Sequence, residues 1–330
     1  MEQKVLRVST AVIVGALLLR LLSAAAPDFT VSAEMVSLML FFQTGRLVRP
    51  ADIAFTTEPT QPPTPPTEET RPPAIQPTQP AVPTFSESAA QALSVNCSFD
   101  YTADLTKLLT QPLFWDLKTD EPTVLILHSH ATEAYAPTGE YAELTDYRTL
   151  DTDHNMISVG AYLTELLEEG GIHVLQDTSL HDSPSYSAAY TNSRESVQQY
   201  LEKYPSIRLV LDLHRDSYED AEGNQIVHTV FSQGEQLAQL MFVVGTNYSG
   251  LTHPDWRENL SLALKLQTQL EGICPGICRS VNLRSQRFNQ DLSEGSLLIE
   301  VGACGNSRQE ALRATQVLAE GILSLANGSR

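Results

Sequence analysis

Positive charge is scarce in this 330-residue chain: 21 Lys and Arg stand against 40 Asp and Glu, for a net charge of −19. Nucleic-acid binding needs basic patches to meet phosphates, so that class of function is excluded. Cysteine is also rare, at four residues, and only Cys274 and Cys278 lie close together in sequence. A four-cysteine zinc site wants two close pairs, which Cys97 and Cys304 do not complete. A disulfide is the commoner use of such residues in an extracytoplasmic domain. Internal repeats are absent, and so are long apolar runs beyond the N-terminal region, which excludes a polytopic membrane protein. No HExxH-type motif occurs either, so any metal site must draw its ligands from dispersed positions.

What is present is unevenly distributed. The first fifty residues carry a net charge of +2, leaving −21 for the remainder. Lys4 and Arg7 precede an apolar stretch, Val8 to Ala26, interrupted by Arg20. About 20 apolar residues cross a bilayer, and an arginine near an interface can snorkel. A retained membrane anchor is favoured over a cleaved signal peptide, with the acidic bulk outside by the positive-inside tendency. Ten of the 19 prolines then fall between Pro59 and Pro83. Such a segment cannot bury enough surface to fold and reads as an extended, disordered spacer. The expected organisation is an anchor region over 1–50, a linker over 51–95 and a folded domain over 96–330.

The folded part alternates strands and helices. Val124 to Leu127 is a short apolar run of the kind buried on both faces of a sheet. Helical spacing follows over Asn155 to Glu169, stopped by Gly170-Gly171. Strands are expected at Ile172–Leu175, Ile207–Leu213, Val227–Phe231, Leu240–Val244 and Leu297–Val301. Helices are expected at Ser193–Lys203, Trp256–Leu270 and Arg308–Leu325. This alternation predicts one α/β domain with a mostly parallel sheet flanked by helices.

In open α/β sheets, sites form beyond the carboxyl ends of strands. Here one strand runs into His128-Ser129-His130-Ala131-Thr132-Glu133, and another ends in His214-Arg215-Asp216. The last strand holds Glu300 within an apolar run. A buried carboxylate without a partner is costly, so Glu300 wants a metal, a cation or a bound proton nearby. Two histidines and a carboxylate can hold zinc with an open fourth position. A second carboxylate beside the bound water can then move its proton, which suits amide hydrolysis. The blander alternative is a structural ion pair from Glu300 to Arg215 or Arg287. His173, His181 and His228 read as hydrogen-bonded structural residues, and His154 and His253 as loop residues that could meet substrate. His128 and His130 point the same way only if the strand continues through both.

The motif from His128 to Tyr135, taken with Asp212 to Ser217, resembles the stage II sporulation protein P family. The resemblance extends in order through Arg148 to Asp151, Asn155, Val159-Gly160, Tyr190 and Ser193. It continues through His253, Trp256, Asn259, Pro275-Gly276, Arg279 and Arg287 to Gln290, and ends at Glu300 to Gly302 and Asn306 to Ala311. It implies a zinc-dependent N-acetylmuramoyl-L-alanine amidase of the cell wall, with an accompanying endopeptidase activity on peptide cross-links. It also implies peptidoglycan as substrate, a role in engulfment during endospore formation, and anchoring in the mother-cell membrane facing the wall. The implied partners are the sporulation proteins D and M. Carried onto this sequence, the implied zinc ligands are His130, Glu133 and His214, with His128 and Asp151 as alternatives. Glu300 is the implied catalytic carboxylate, and Arg215, Arg287 and Asn289 the implied substrate-binding residues. The two cysteines around Pro275-Gly276 depart from the family frame. A zinc peptidase acting only on stem peptides is the alternative enzyme, and an inactive wall-binding module the alternative class.

Overall fold

A computed structural model describes residues 93–327 apart from 102, 113–115 and 138–146, together with Phe85 and Ala89. The expected membrane anchor, and Pro59 to Pro83 of the expected linker, lie outside the described residues. Among the described residues no helix is long and apolar enough to cross a membrane. Phe85, Ala89 and Leu93 pack against the core of the folded part.

Among the described residues, nine strands and five α-helices follow one another. They are β1 (Val95–Cys97), α1 (Leu105–Thr110), β2 (Val124–Leu127), α2 (Met156–Glu169), β3 (Val174–Gln176), α3 (Ala189–Lys203), β4 (Leu209–Asp216), β5 (Thr229–Ser232), β6 (Glu235–Ala238), β7 (Leu240–Gly245), α4 (Trp256–Ile273), β8 (Val281–Arg284), β9 (Ser296–Ala303) and α5 (Arg308–Asn327). Seven strands form one sheet in the order β1-β8-β7-β9-β4-β2-β3, while β5 and β6 make a separate hairpin. Every neighbouring pair in the large sheet is parallel except β7 with β9. The expected mixed α/β fold, with a mostly parallel sheet flanked by helices, is what forms.

The period-2 alternation of strand side chains decides what each face carries. Val124, Ile126, Leu209, Leu211, Leu213, Leu297, Ile299 and Val301 all join the large core, which α2, α4 and α5 cover. The intervening residues Leu125, Leu127 and Val210 join a smaller cluster under α3, with Val197, Tyr200 and Leu201. On that second face the alternation brings up Asp212 and His214 from β4, and Leu298 and Glu300 from β9. Helix α3 thus covers the face on which the polar residues project.

Local signals explain the boundaries. The Asn155 side chain accepts a hydrogen bond from the Ile157 N–H at 3.0 Å, capping α2. Gly171, at φ 83°, takes the left-handed conformation that ends it. Helix α3 starts at Ala189, four residues ahead of the expected Ser193. Its N-cap position is Ala188, which has no side-chain capping bond, and a 3-10 turn over Tyr186–Ala188 leads into it. The third strand is Val174–Gln176 rather than Ile172–Leu175, because Ile172 still bonds back to Leu167 of α2. Strands β1, β6 and β8 and helix α1 were not expected from the sequence. The expected disulfide does not form: all four cysteines are free.

Candidate active site

Strand β2 ends at Leu127, and this separates the two histidines that follow. His128 keeps to the α2 side of the sheet. Its Nδ1 lies 3.2 Å from the Leu213 carbonyl and its Nε2 lies 3.2 Å from the Gln176 side-chain nitrogen. It is fully buried, and burial lowers its pKa to about 4. Both of its ring nitrogens are therefore engaged inside the fold. The chain then turns at Ser129 to Thr132, so His130 emerges on the other side.

His130, Glu133, His214 and Glu300 gather there. His214 and Glu300 are cross-strand neighbours in the β4–β9 register. The His130 and His214 rings lie edge to face with centroids 5.5 Å apart. One oxygen of Glu133 is 3.5 Å from His214 Nδ1. All four are buried or nearly so, and three polar atoms have no hydrogen-bond partner: His130 Nδ1, His214 Nε2 and Glu300 Oε2.

Each of these side chains has its own support. Asp212 Oδ1 stands 3.0 Å from His214 Nε2, off line for a hydrogen bond, and accepts one from the Ser129 N–H at 2.8 Å. Asp182 stands 3.8 Å from His130 Nδ1 and accepts bonds from the Thr132 hydroxyl at 2.6 Å and Arg148 at 3.0 Å. Glu133 accepts the Arg215 backbone N–H at 3.3 Å and lies near the guanidinium groups of Arg215 (3.5 Å) and Arg148 (3.7 Å). Arg215 sits where the β4–β9 register shifts, and it also donates to the Ala134 and Tyr147 carbonyls.

Burial dominates the electrostatics, and neighbouring charge decides its outcome. Burial works against charge on His214, yet Asp212, Tyr190 and Glu133 together hold its pKa well above the usual imidazole range. Burial also works against charge on Glu133, but His214 and Arg215 keep its pKa below the ordinary carboxylate value. Glu300 lacks such a partner. Burial raises its pKa to about 8, with Asp216 and Glu133 adding to the shift and His214 opposing it. The expected alternative of an ion pair to Glu300 is not formed: Arg215 pairs with Glu133, and Arg287 pairs with Asp291 at 3.1 Å.

Most of the remaining sequence candidates are engaged with other partners. Asp151 faces His154 at 3.2 Å in the turn before α2. Asn289 donates to the Tyr190 carbonyl at 2.7 Å, and its backbone is left-handed (φ 57°). His181 bonds Asp177 at 2.9 Å, and the His228 backbone bonds Asn306. His253 lies in the loop before α4, as expected, but is buried with neither ring nitrogen hydrogen-bonded. Sequence reasoning missed the places of Asp182 and Asp212 beside the two imidazoles. Asp212 was detectable, since like Glu300 it interrupts an apolar run.

Among the described residues, no three His, Cys, Asp or Glu side chains stand in an arrangement that would hold an ion as they are. The chemistry of the donors nonetheless fits zinc. Two imidazoles, the Glu133 carboxylate and an unpartnered Glu300 oxygen stand among an excess of buried acids, a combination a divalent cation would balance.

The family model described as Stage II sporulation protein P matches residues 57–323. The chain belongs to the stage II sporulation protein P family. A family relative, Stage II sporulation protein P of Bacillus subtilis (strain 168), is 26% identical over 212 residues. That match takes in 61% of this chain and 50% of the relative, so the chain spans about half the length of the curated relative it matches. Two solved structures are also similar. One is the N-acetylmuramoyl-L-alanine amidase AmiC2 of Nostoc punctiforme, at 13% identity and a TM-score of 0.36, covering 62% of this chain and 95% of that one. The other is the N-acetylmuramyl-L-alanine amidase Ami1 from Mycobacterium abscessus, at 11% identity and 0.38, covering 62% and 99%. Both likenesses are distant.

Proposed function

We propose that this protein is a zinc-dependent N-acetylmuramoyl-L-alanine amidase that cuts peptidoglycan during engulfment in endospore formation. Membership of the sporulation family supports the biological setting. The chemistry rests on one observation: Glu300, with a buried oxygen free of any hydrogen bond, is the cross-strand neighbour of His214 beside His130 and Glu133. His130, Glu133 and His214 would hold the zinc, which supplies a bound water that is acidic near neutrality. Glu300 takes the proton from the attacking water and delivers it to the leaving amine. Arg215 and Arg148 fix Glu133 from one side, and Asp182 and Asp212 stand behind the imidazoles, so that the donors are oriented before substrate arrives.

The same reading extends to an endopeptidase activity on cross-links, to anchoring through the N-terminal apolar stretch with the head facing the wall, and to sporulation proteins D and M as partners. Arg287 and Asn289 are assigned to the substrate side of the site. Digestion of purified sacculi followed by mass spectrometry tests the central assignment. The expected products are glycan-free stems beginning with L-alanine, abolished by a chelator. Digests that yield only shortened stems still attached to glycan would replace the amidase by a stem peptidase.

A further inference from the structure

Tyr190 has no part in the mechanism above, although it stands among the groups that do. Its ring lies 5.5 Å from His130, edge to face, and 6.4 Å from His214, nearly parallel at 11°. The charges of His214, Asp212, Glu300 and Glu133 all bear on its hydroxyl. No hydrogen bond ties that hydroxyl down among the described residues. The rest of the residue is firmly held. Its carbonyl accepts the Asn289 side-chain amide at 2.7 Å, and the Phe288 ring meets its own edge-on at 5.8 Å.

That support comes from a strained turn. Phe288 and Asn289 both have left-handed backbones, at φ 53° and 57°. For a bulky residue such as Phe288 this costs on the order of 1–3 kcal/mol and persists only where the surroundings enforce it. The enforcement is visible: Asp291, three residues beyond Phe288, is gripped by Arg194 of α3 at 2.9 and 2.8 Å and by Arg287 at 3.1 Å. Two arginines and a carboxylate therefore lock a strained turn against the backbone of one tyrosine. A locked ring with an untied hydroxyl is a preorganised donor.

We propose that Tyr190 is a catalytic residue whose hydroxyl donates a hydrogen bond to the scissile carbonyl oxygen as negative charge gathers on that atom. The proton stays on the tyrosine throughout, so no bond to it breaks. This inference rests on the amidase reading. A preorganised donor of this kind is worth about 100- to 1000-fold in kcat.

The test compares the full-length wild type with Tyr190→Phe, both zinc-loaded, on a soluble muramoyl-peptide. Phenylalanine keeps the ring contacts and the backbone bond to Asn289, and removes only the hydroxyl. The expected result is a kcat lowered about 100-fold or more with KM within about threefold. Zinc affinity, measured against a chromophoric chelator, is expected to stay unchanged. Binding of a phosphonate mimic of the tetrahedral intermediate should weaken by at least about tenfold. A kcat within about threefold of wild type, or a loss that follows weakened zinc binding, overturns the inference. If the wild type itself releases no L-alanine stem, the amidase reading fails and takes this one with it. An active wild type matched by an equally active Tyr190→Phe sinks the tyrosine alone.

Discussion

Two histidines separated by one residue meet different fates here, and the reason is a single turn. A strand that ran on through His130 would have put His128 and His130 on one face. It stops at Leu127, and His128 falls among Leu213, Gln176 and Gly160 while His130 crosses to the polar side. Glu300 is the other decisive residue. Burial raises its pKa to about 8 from an ordinary 4.5, so the folded protein binds this proton more tightly than the unfolded chain does. Stability is therefore lost as pH climbs from about 4.5 to about 8, where the buried group must ionise. Glutamine escapes that cost. In the metal-free protein, Glu300→Gln should melt above the wild type at about pH 8, with the gap closing near pH 4. Melting curves that coincide across this range would show that Glu300 is not held in a desolvated setting.

At the level of elements, the sheet was legible where it is buried on both faces. β2, β4, β7 and β9 are near-continuous apolar runs, and the anomalies within them, His214 and Glu300, pointed to the site. β1 and β8 lie at one side of the sheet and are only three and four residues long, and their partly exposed positions leave no run to read. β6 belongs to a separate hairpin and is half exposed. The outer acids were harder. Asp182 acts only because a loop distant in sequence approaches Thr132 and Arg148, and no local pattern announces such an approach. One contact between elements offers a direct test. A Cβ at Gly160 of α2 would come within 2.4 Å of His128 Nε2 and 2.5 Å of Gln176 Nε2. Alanine there gains about 1 kcal/mol of helix propensity, but overpacking a hydrogen-bonded core site costs about 1–3 kcal/mol. Gly160→Ala should therefore lower the midpoint of urea unfolding while leaving zinc affinity intact. An unchanged or raised midpoint would mean that His128 is free to move aside.

For the whole molecule, the sequence divides a weakly basic N-terminal stretch from a strongly acidic remainder, with a proline-rich run between them. The proposed wall-facing enzyme tethered at a membrane would fit that order. The hydrolytic account depends in the end on three side chains from separate parts of the chain converging on one ion. Anomalous scattering at the zinc edge, from crystals of the zinc-loaded protein, measures this directly. The account predicts a single strong peak about 2.0–2.2 Å from an imidazole nitrogen of His130, one of His214 and an oxygen of Glu133, with Glu300 facing it. A peak at Cys274 and Cys278, or none beside His214, would contradict it.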